Sequence, residues 1–248
     1  MSKIDSKNTF PTITLSIVSH KQASLIKSLL DDLSALPLYN FQILITINIP
    51  EDESPYLHTN LPLRIIRNES PKGFGWNHNQ AFNLSNSPYF CVVNPDVRIQ
   101  SLILEDLLAP FIDRSVGAAS PLIFSPDGNL EDSARVFPTF YGFLKRLLIS
   151  DRSLDYQVSL DPYTVDWIAG IFVVFRREAY EQVKGFDSHR FHMYLEDADI
   201  CKRLAIKGWK VQVNPLIYVI HSAQKASHHD INHMRWHVIS AFRFLTGF

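Results

Sequence analysis

Three acids crowd one short stretch of the chain, Tyr194-Leu195-Glu196-Asp197-Ala198-Asp199-Ile200-Cys201-Lys202-Arg203. The stretch reads as a helix start, where negative charge is favoured by the peptide dipoles. A helix needs only one cap, so capping accounts for Glu196 or Asp199 more readily than for Asp197. Close carboxylates repel, and burying one in a cleft raises its pKa toward the range of a general base. A further acid, Asp96, follows the apolar run YFCVV (89–93) in Asn94-Pro95-Asp96. At a strand's carboxyl end it suits a divalent cation or a turn cap. His221 ends the short apolar run Val219-Ile220. Neutral imidazole is a common metal ligand, and a strand-end histidine also serves structure. His228 and His229 are adjacent, a spacing ill suited to one metal, and read as a solvated loop. The segment NESPKGFGWNHN (68–79) has Gly73 and Gly75, which permit close backbone approach to a ligand. Lys72 can neutralise a phosphate, and Asn77 and Asn79 add amide donors and acceptors. The segment is neither G-x-G-x-x-G nor a Walker loop, and a plain glycine-containing turn reads it equally.

The elements around these residues alternate at first. TLSIVS (14–19), 41–48, LRIIR (63–67) and YFCVV (89–93) read as strands. Between them, 23–36 carries Leu25, Ile26, Leu29, Leu30 and Leu33 at helical spacing, and 76–84 reads as a second helix. This pattern predicts an open, mostly parallel sheet with helices on both faces, its ligands at the carboxyl ends of the strands. Further on, Ile123-Phe124 and a Pro126-Asp127-Gly128 turn precede an amphipathic basic segment, 140–149. Residues 165–175 read as one buried strand, and 211–213 and 217–220 as two short strands around Pro215. Helices are expected over 178–183, 196–207 and 233–245, the first two stopped by Gly185 and Gly208.

A chain of 248 residues with 46% hydrophobic and 20% charged residues builds a sizeable core. We read it as a single domain over 1–248, with a nucleotide-binding half (12–100) and an acceptor-facing half (101–248) ending in a helix. A net charge of -1 gives no sign of nucleic-acid binding. Cys91 and Cys201 lie in apolar and helical runs and read as buried reduced thiols, consistent with a cytoplasmic location. The N-terminus lacks a signal peptide's apolar core, and no apolar run reaches the roughly 20 residues of a bilayer span.

Taken together, SIVSH (16–20), NESPKGFGWNHNQAF (68–82), VVNPDV (92–97), SARVFPT (133–139), VDWIAGIFVVFRREAYEQVKGFD (165–187), HMYLEDADICKRLAIKGWKV (192–211) and the Pro215 to His221 segment resemble the family-2 glycosyltransferases, α/β enzymes of the GT-A fold. The rhamnosyltransferase-like branch is most similar, and order and gaps match over residues 14–227. The resemblance implies that Asp96 is the last acid of a D-x-D metal motif and binds Mg2+ or Mn2+ on the donor's diphosphate. It implies His221 as a second metal ligand, Asp197 as catalytic base and Glu196 as its neighbour. It implies further that Ser19 meets the nucleotide base and that Trp167, Ala169 and Gly170 line the sugar and acceptor cleft. Two positions depart from the pattern. Asn94 replaces the first acid of the motif, leaving one protein carboxylate for the metal. Ile47-Asn48 stands where an acid-containing turn is usual, so Asn48 is the group offered to the nucleotide, with Glu51 or Asp52 the nearest acids.

The implied reaction is inverting transfer of a sugar from dTDP-rhamnose or a UDP-sugar to a saccharide or lipid-linked saccharide acceptor, in bacterial surface-polysaccharide synthesis. Segments 140–149 and 235–248 have the basic and aromatic character of helices that lie on a membrane, here its inner face. Packing on the core or on a second subunit, as a homodimer, explains them as well. A sugar nucleotidyltransferase is the enzymatic alternative, but His20-Lys21-Gln22-Ala23-Ser24 lacks the glycine-rich loop it needs. An inactive carbohydrate-binding relative is disfavoured by the retained acids.

Overall fold

The computed structural model describes residues 11–36, 40–57, 59–139, 154–222 and 231–246. The described residues up to 96 supply four strands, β1 (Ile13–Ser19), β2 (Phe41–Ile47), β3 (Leu63–Arg67) and β4 (Tyr89–Val93). β2 and β4 flank β1 in parallel, and β3 lies parallel outside β2. Parallel neighbours require crossovers, which include α1 (Ala23–Ala35) and α2 (Phe74–Asn83). Side chains of a strand alternate between faces. Ile13, Leu15 and Ile17 therefore join Ile26, Leu29 and Leu33 of α1 in one core layer. On the other face Leu44, Phe90 and Val92 join Ala81 and Phe82 of α2. Ser16 points to that second face and is wholly buried, its hydroxyl 2.8 Å from His78 Nδ1.

The remaining elements are β5 (Val97–Arg98), α3 (Leu104–Leu108), β6 (Val116–Phe124), β7 (Ala134–Arg135), β8 (Tyr163–Val165), β9 (Trp167–Ile168), β10 (Phe172–Arg176), α4 (Arg177–Gln182), α5 (Glu196–Ile206), β11 (Lys210–His221) and α6 (Ile231–Thr246). The sheet order is β3-β2-β1-β4-β10-β6-β11-β5, with β8 beside β11, and β7 and β9 form a separate pair. β10 runs antiparallel between β4 and β6, and β11 lies parallel to β6. The expected GT-A-type arrangement is present, a mostly parallel sheet covered by helices on both faces. The carboxyl ends of β1, β2, β3, β4, β6 and β11 form one rim, and the start of β10 meets it, because Phe172 pairs with Val93.

Two strand expectations are corrected. Residues 165–175 are not one strand: the chain bends at Gly170, where the Ile171 N–H donates to the Ala169 carbonyl at 2.7 Å. Residues 211–213 and 217–220 belong to one continuous strand, β11, with a register shift between Asn214 and Tyr218. Pro215 sits in that irregular stretch, where its missing N–H costs no ladder bond. Small residues hid the first half of β6, 116–120, whose Gly117 lies against Trp209 and Ala179.

Cys91 and Cys201 are buried free thiols, as expected, and burial pushes Cys201 up to about 12. In the last helix Phe244 is buried and Leu245 packs on the core, whereas Phe242 is exposed. Among the described residues no helix is long and apolar enough to cross a membrane. The basic segment 140–149 and the pair His228-His229 lie outside the described residues.

Candidate active site

Beyond β4 the chain turns sharply along the rim. The Asn94 N–H donates to the Ile171 carbonyl at 2.8 Å, and the Val97 N–H returns to the Asn94 carbonyl at 3.3 Å. β5 then pairs with the end of β11, placing Val97 opposite His221, and the Ser222 N–H donates to the Asp96 carbonyl at 2.9 Å. Asp96 Oδ1 consequently faces His221 Nε2 at 3.4 Å. On its other side, His221 Nδ1 lies 2.9 Å from Glu131 Oε2. Burial alone lowers the imidazole pKa, but the neighbouring carboxylates of Asp96 and Glu131 outweigh it, so the net shift is upward. Among the described residues no group of three His, Cys, Asp or Glu side chains converges as a metal site. Asp96 and His221 offer two such groups, a carboxylate and an imidazole. This donor set fits a cation that takes its other ligands from phosphate and water, as magnesium and manganese do.

The second part of the site lies at the start of α5. Tyr194 and Leu195 hold left-handed conformations at φ 72° and 61°, at a cost of about 1–3 kcal/mol each for residues with side chains. Their loop is tied down from α6: the Ser240 hydroxyl donates to the Met193 carbonyl at 2.9 Å, and Arg190 and Arg243 each donate to the other's carbonyl. Glu196 is buried, and its Oε2 has no hydrogen-bond partner. Burial, then the charge of Asp197, pushes its carboxyl up to about 8. Asp197 is less enclosed; its Oδ2 accepts the Gly170 N–H at 3.1 Å and its Oδ1 the Ala198 N–H at 2.8 Å. Burial raises this carboxyl too, against the opposing pull of those donors and of Arg135. Asp199 makes no helix cap; it pairs with Arg203 at 2.7 Å and Arg190 at 3.5 Å, which fixes the helix to its surroundings.

The bend at 169–171 brings both parts together. Gly170 holds Asp197, and the adjoining Ile171 carbonyl holds Asn94, two residues before Asp96. Gly170 also lies against the Phe74 ring, where an added Cβ would stand 3.2 Å from Cζ. Trp167 is buried beneath, its indole N–H donating to the Val136 carbonyl at 2.9 Å, with Arg135 over its ring.

Other residues expected to face a ligand are held within the protein. Ser19 is wholly buried and its Oγ accepts the Gln22 N–H at 3.2 Å and the Tyr56 hydroxyl at 3.4 Å. Asn48 Oδ1 accepts from Lys72 N and Asn68 Nδ2, both at 2.8 Å, while its Nδ2 donates to the Lys72 carbonyl at 3.0 Å. Asn77 is buried and bonds Asn68 and the same carbonyl. These three side chains make hydrogen bonds within the protein that shape the rim. The glycine requirement at 73 comes from protein too: a Cβ there would lie 2.5 Å from the His192 carbonyl oxygen. Asn79 likewise serves the 185–186 turn, bonding the backbone of Phe186. Lys72 is exposed, its ammonium 5.5 Å from the Trp76 ring centre.

Sequence reasoning missed Glu131 and Arg135. Arg135 stands inside the SARVFPT segment, which was a usable signal; Glu131 sits after a Pro-Asp-Gly turn, where an acid reads as loop polarity. A separate hollow of about 470 Å³, lined by residues including Trp76, Asn79, Lys184 and His189, contains none of the acids discussed.

Residues 14–184, more than half of the chain, match Glycosyl transferase family 2. Rhamnosyltransferase WbbL of Escherichia coli (strain K12) is 31% identical over 192 residues, which cover 70% of this chain and 70% of the relative. N-acetylglucosaminyl-diphospho-decaprenol L-rhamnosyltransferase of Mycobacterium tuberculosis is 34% identical over 165 residues, covering 62% of this chain and 53% of the relative. Among solved structures, mannosyltransferase PcManGT from Pyrobaculum calidifontis in complex with GDP-Man and Mn2+ superposes with a TM-score of 0.65 at 16% identity, over 95% of this chain and 64% of that one. GalNAc-T7 with UDP, GalNAc and Mn2+ gives 0.67 at 16% identity, over 88% of this chain and 45% of that one. These likenesses show a shared fold. With the sequence match they establish that the chain is a member of glycosyl transferase family 2, on a GT-A fold and similar to its rhamnosyltransferases.

Proposed function

We propose that the protein is an inverting, metal-dependent glycosyltransferase that moves a deoxyhexose, rhamnose, from a nucleoside diphosphate to a saccharide on a lipid-linked acceptor. The observation that carries this reading is Asp197, a carboxylate fixed by two backbone N–H donors, across the 169–171 bend from the Asp96–His221 pair. The names of the two curated relatives support rhamnose and, for the mycobacterial one, a diphospholipid-linked acceptor.

Asp96 and His221 would hold the divalent cation, Mg2+ or Mn2+. Bound there, it would neutralise the negative charge that builds on the departing diphosphate. Lys72, exposed on the same rim and anchored through its backbone by Asn48, adds positive charge for the donor. Asp197 accepts two backbone N–H groups and feels the charge of Arg135, which favour its ionised form, whereas Glu196 Oε2 has no partner, so the proton of the acid pair is assigned to Glu196 and the charge to Asp197. Asp197 then accepts the proton of the acceptor hydroxyl as that oxygen attacks the anomeric carbon. A base and a leaving group on opposite sides of that carbon give one displacement and inversion. The two N–H donors keep the carboxylate oriented without neutralising it.

The test is a donor panel. Purified protein with Mn2+ is offered dTDP-rhamnose, UDP-sugars and GDP-mannose, and nucleoside diphosphate release is followed with and without a lipid-diphosphate saccharide acceptor. Acceptor-stimulated release from dTDP-rhamnose is expected. Release from none of them, or synthesis of a sugar nucleotide from a sugar phosphate and a nucleoside triphosphate, would overturn the reading.

A further inference from the structure

Glu131 has no place in the chemistry described above, yet it makes the shortest side-chain contact of His221. Its Oε2 lies 2.9 Å from Nδ1, whereas Asp96 Oδ1 stands 3.4 Å from Nε2, long for a hydrogen bond. The carboxylate can only accept, so the short contact places a proton on Nδ1 and leaves Nε2 to face Asp96. Glu131 itself is held rigidly. After the turn at Gly128 the chain runs back along β6: Leu130 bridges Phe124, and the Glu131 N–H donates to the Ile123 carbonyl at 2.8 Å. The Glu131 carbonyl accepts the Ser133 N–H at 2.8 Å, so the backbone is pinned on both sides of the side chain. His221 meets it from the last position of β11, fixed by its pairing with Val97. Glu131 reaches His221 from the nitrogen opposite Asp96, and among the described residues no three such groups converge on one point.

We infer that Glu131 is a positioning residue: it holds His221 as the Nδ1–H tautomer and aims the Nε2 lone pair at the space beside Asp96, where a divalent cation binds. The inference rests on the proposed role of Asp96 and His221. A carboxylate behind a ligating histidine fixes ring orientation and raises ligand basicity, and losing it typically weakens metal affinity about 10- to 100-fold. Glu131 thereby offsets part of what Asn94 withholds as a non-acidic residue in the metal motif.

The test measures Mn2+ affinity rather than turnover. Free Mn2+ is followed by electron paramagnetic resonance while the full chain is titrated in the presence of dTDP and, separately, UDP. E131A is expected to weaken Mn2+ binding roughly 10- to 100-fold, and E131Q, which keeps an oxygen acceptor at the same place, to stay within several-fold of wild type. Adding E131A to H221A should cost little more than H221A alone, because both remove one interaction. Wild-type affinity in E131A, or additive losses in the double variant, would overturn the positioning role while leaving the metal site standing. Equal losses in E131Q and E131A would mark Glu131 as a direct ligand and also overturn it. If D96N and H221A bind Mn2+ like wild type, the metal site falls, and Glu131's role with it.

Discussion

Gly170 donates its backbone N–H to Asp197 Oδ2 at 3.1 Å, joining the bend before β10 to the first turn of α5. An added Cβ at Gly170 would stand 3.8 Å from Asp197 Cβ and 3.2 Å from the Phe74 ring. One residue further, the Ile171 carbonyl accepts the Asn94 N–H at 2.8 Å. The bend is thus a rigid bridge between the proposed base and the proposed metal ligands. It is also built from backbone, which side-chain substitutions on the rim leave in place.

Glu196 gives the site a pH signature. Its carboxyl is raised to about 8 by burial and by Asp197, so the folded chain keeps a proton that the unfolded chain releases. The stabilisation from this proton is complete below the ordinary glutamate range and is lost as pH rises through about 8. E196Q is neutral at every pH and should lack this slope. Melting temperatures from about pH 5 to pH 9 are expected to fall for wild type relative to E196Q; parallel curves would show that Glu196 is ionised in the native protein. Because Glu196 is neutral below about pH 8, E196Q should leave the acid limb of kcat/KM in place.

Gly73→Ala tests the contact between the start of α2 and the loop before the acids. The new Cβ would stand 2.5 Å from the His192 carbonyl oxygen, a backbone atom that cannot swing aside. Overpacking of this kind costs about 1–3 kcal/mol. Urea unfolding should show that loss, and kcat should fall because residues 192–195 lead directly into Glu196 and Asp197. A variant as stable and as active as wild type would mean that the loop yields freely.

Asn48→Ala tests whether that amide serves the rim or the ligand. Its loss leaves the Lys72 N–H without its acceptor and takes one of two bonds from the Lys72 carbonyl and from the Asn68 amide. Unpairing buried polar groups costs roughly 1–3 kcal/mol. The expected result is lower stability with a raised donor KM and a smaller change in kcat. Unchanged stability with lost nucleotide binding would return Asn48 to the role of a direct contact.

Removal of metal should abolish transfer reversibly. Chelated enzyme is expected to be inactive and to recover with added Mn2+ or Mg2+, and D96N to need a higher metal concentration. Full activity in chelator would exclude Asp96 and His221 from the chemistry.

Much of the frame was readable from the residues. β4 begins and ends where its apolar run does, because a buried parallel strand carries continuous apolar character. The acids were readable as a cluster, since Glu196 and Asp197 are adjacent in the chain. What escaped depends on tertiary pairing. Glu131 and His221 are separated by 90 positions and meet only because the chain doubles back along β6. Amide side chains donate and accept equally, so the inward orientation of Asn48 and Asn77 has no signature. The Gly170 bend was hidden in an apolar run, where burial on either side looks the same for a strand and for a buried turn.

The central claim is that Asp197 accepts the acceptor's proton. Its sharpest test is D197N, which keeps the side chain's shape, assayed for sugar transfer beside calorimetric binding of dTDP with Mn2+. A kcat lower by at least about 100-fold, with nucleotide affinity retained, is the result expected. Turnover within a few-fold of wild type would contradict the assignment.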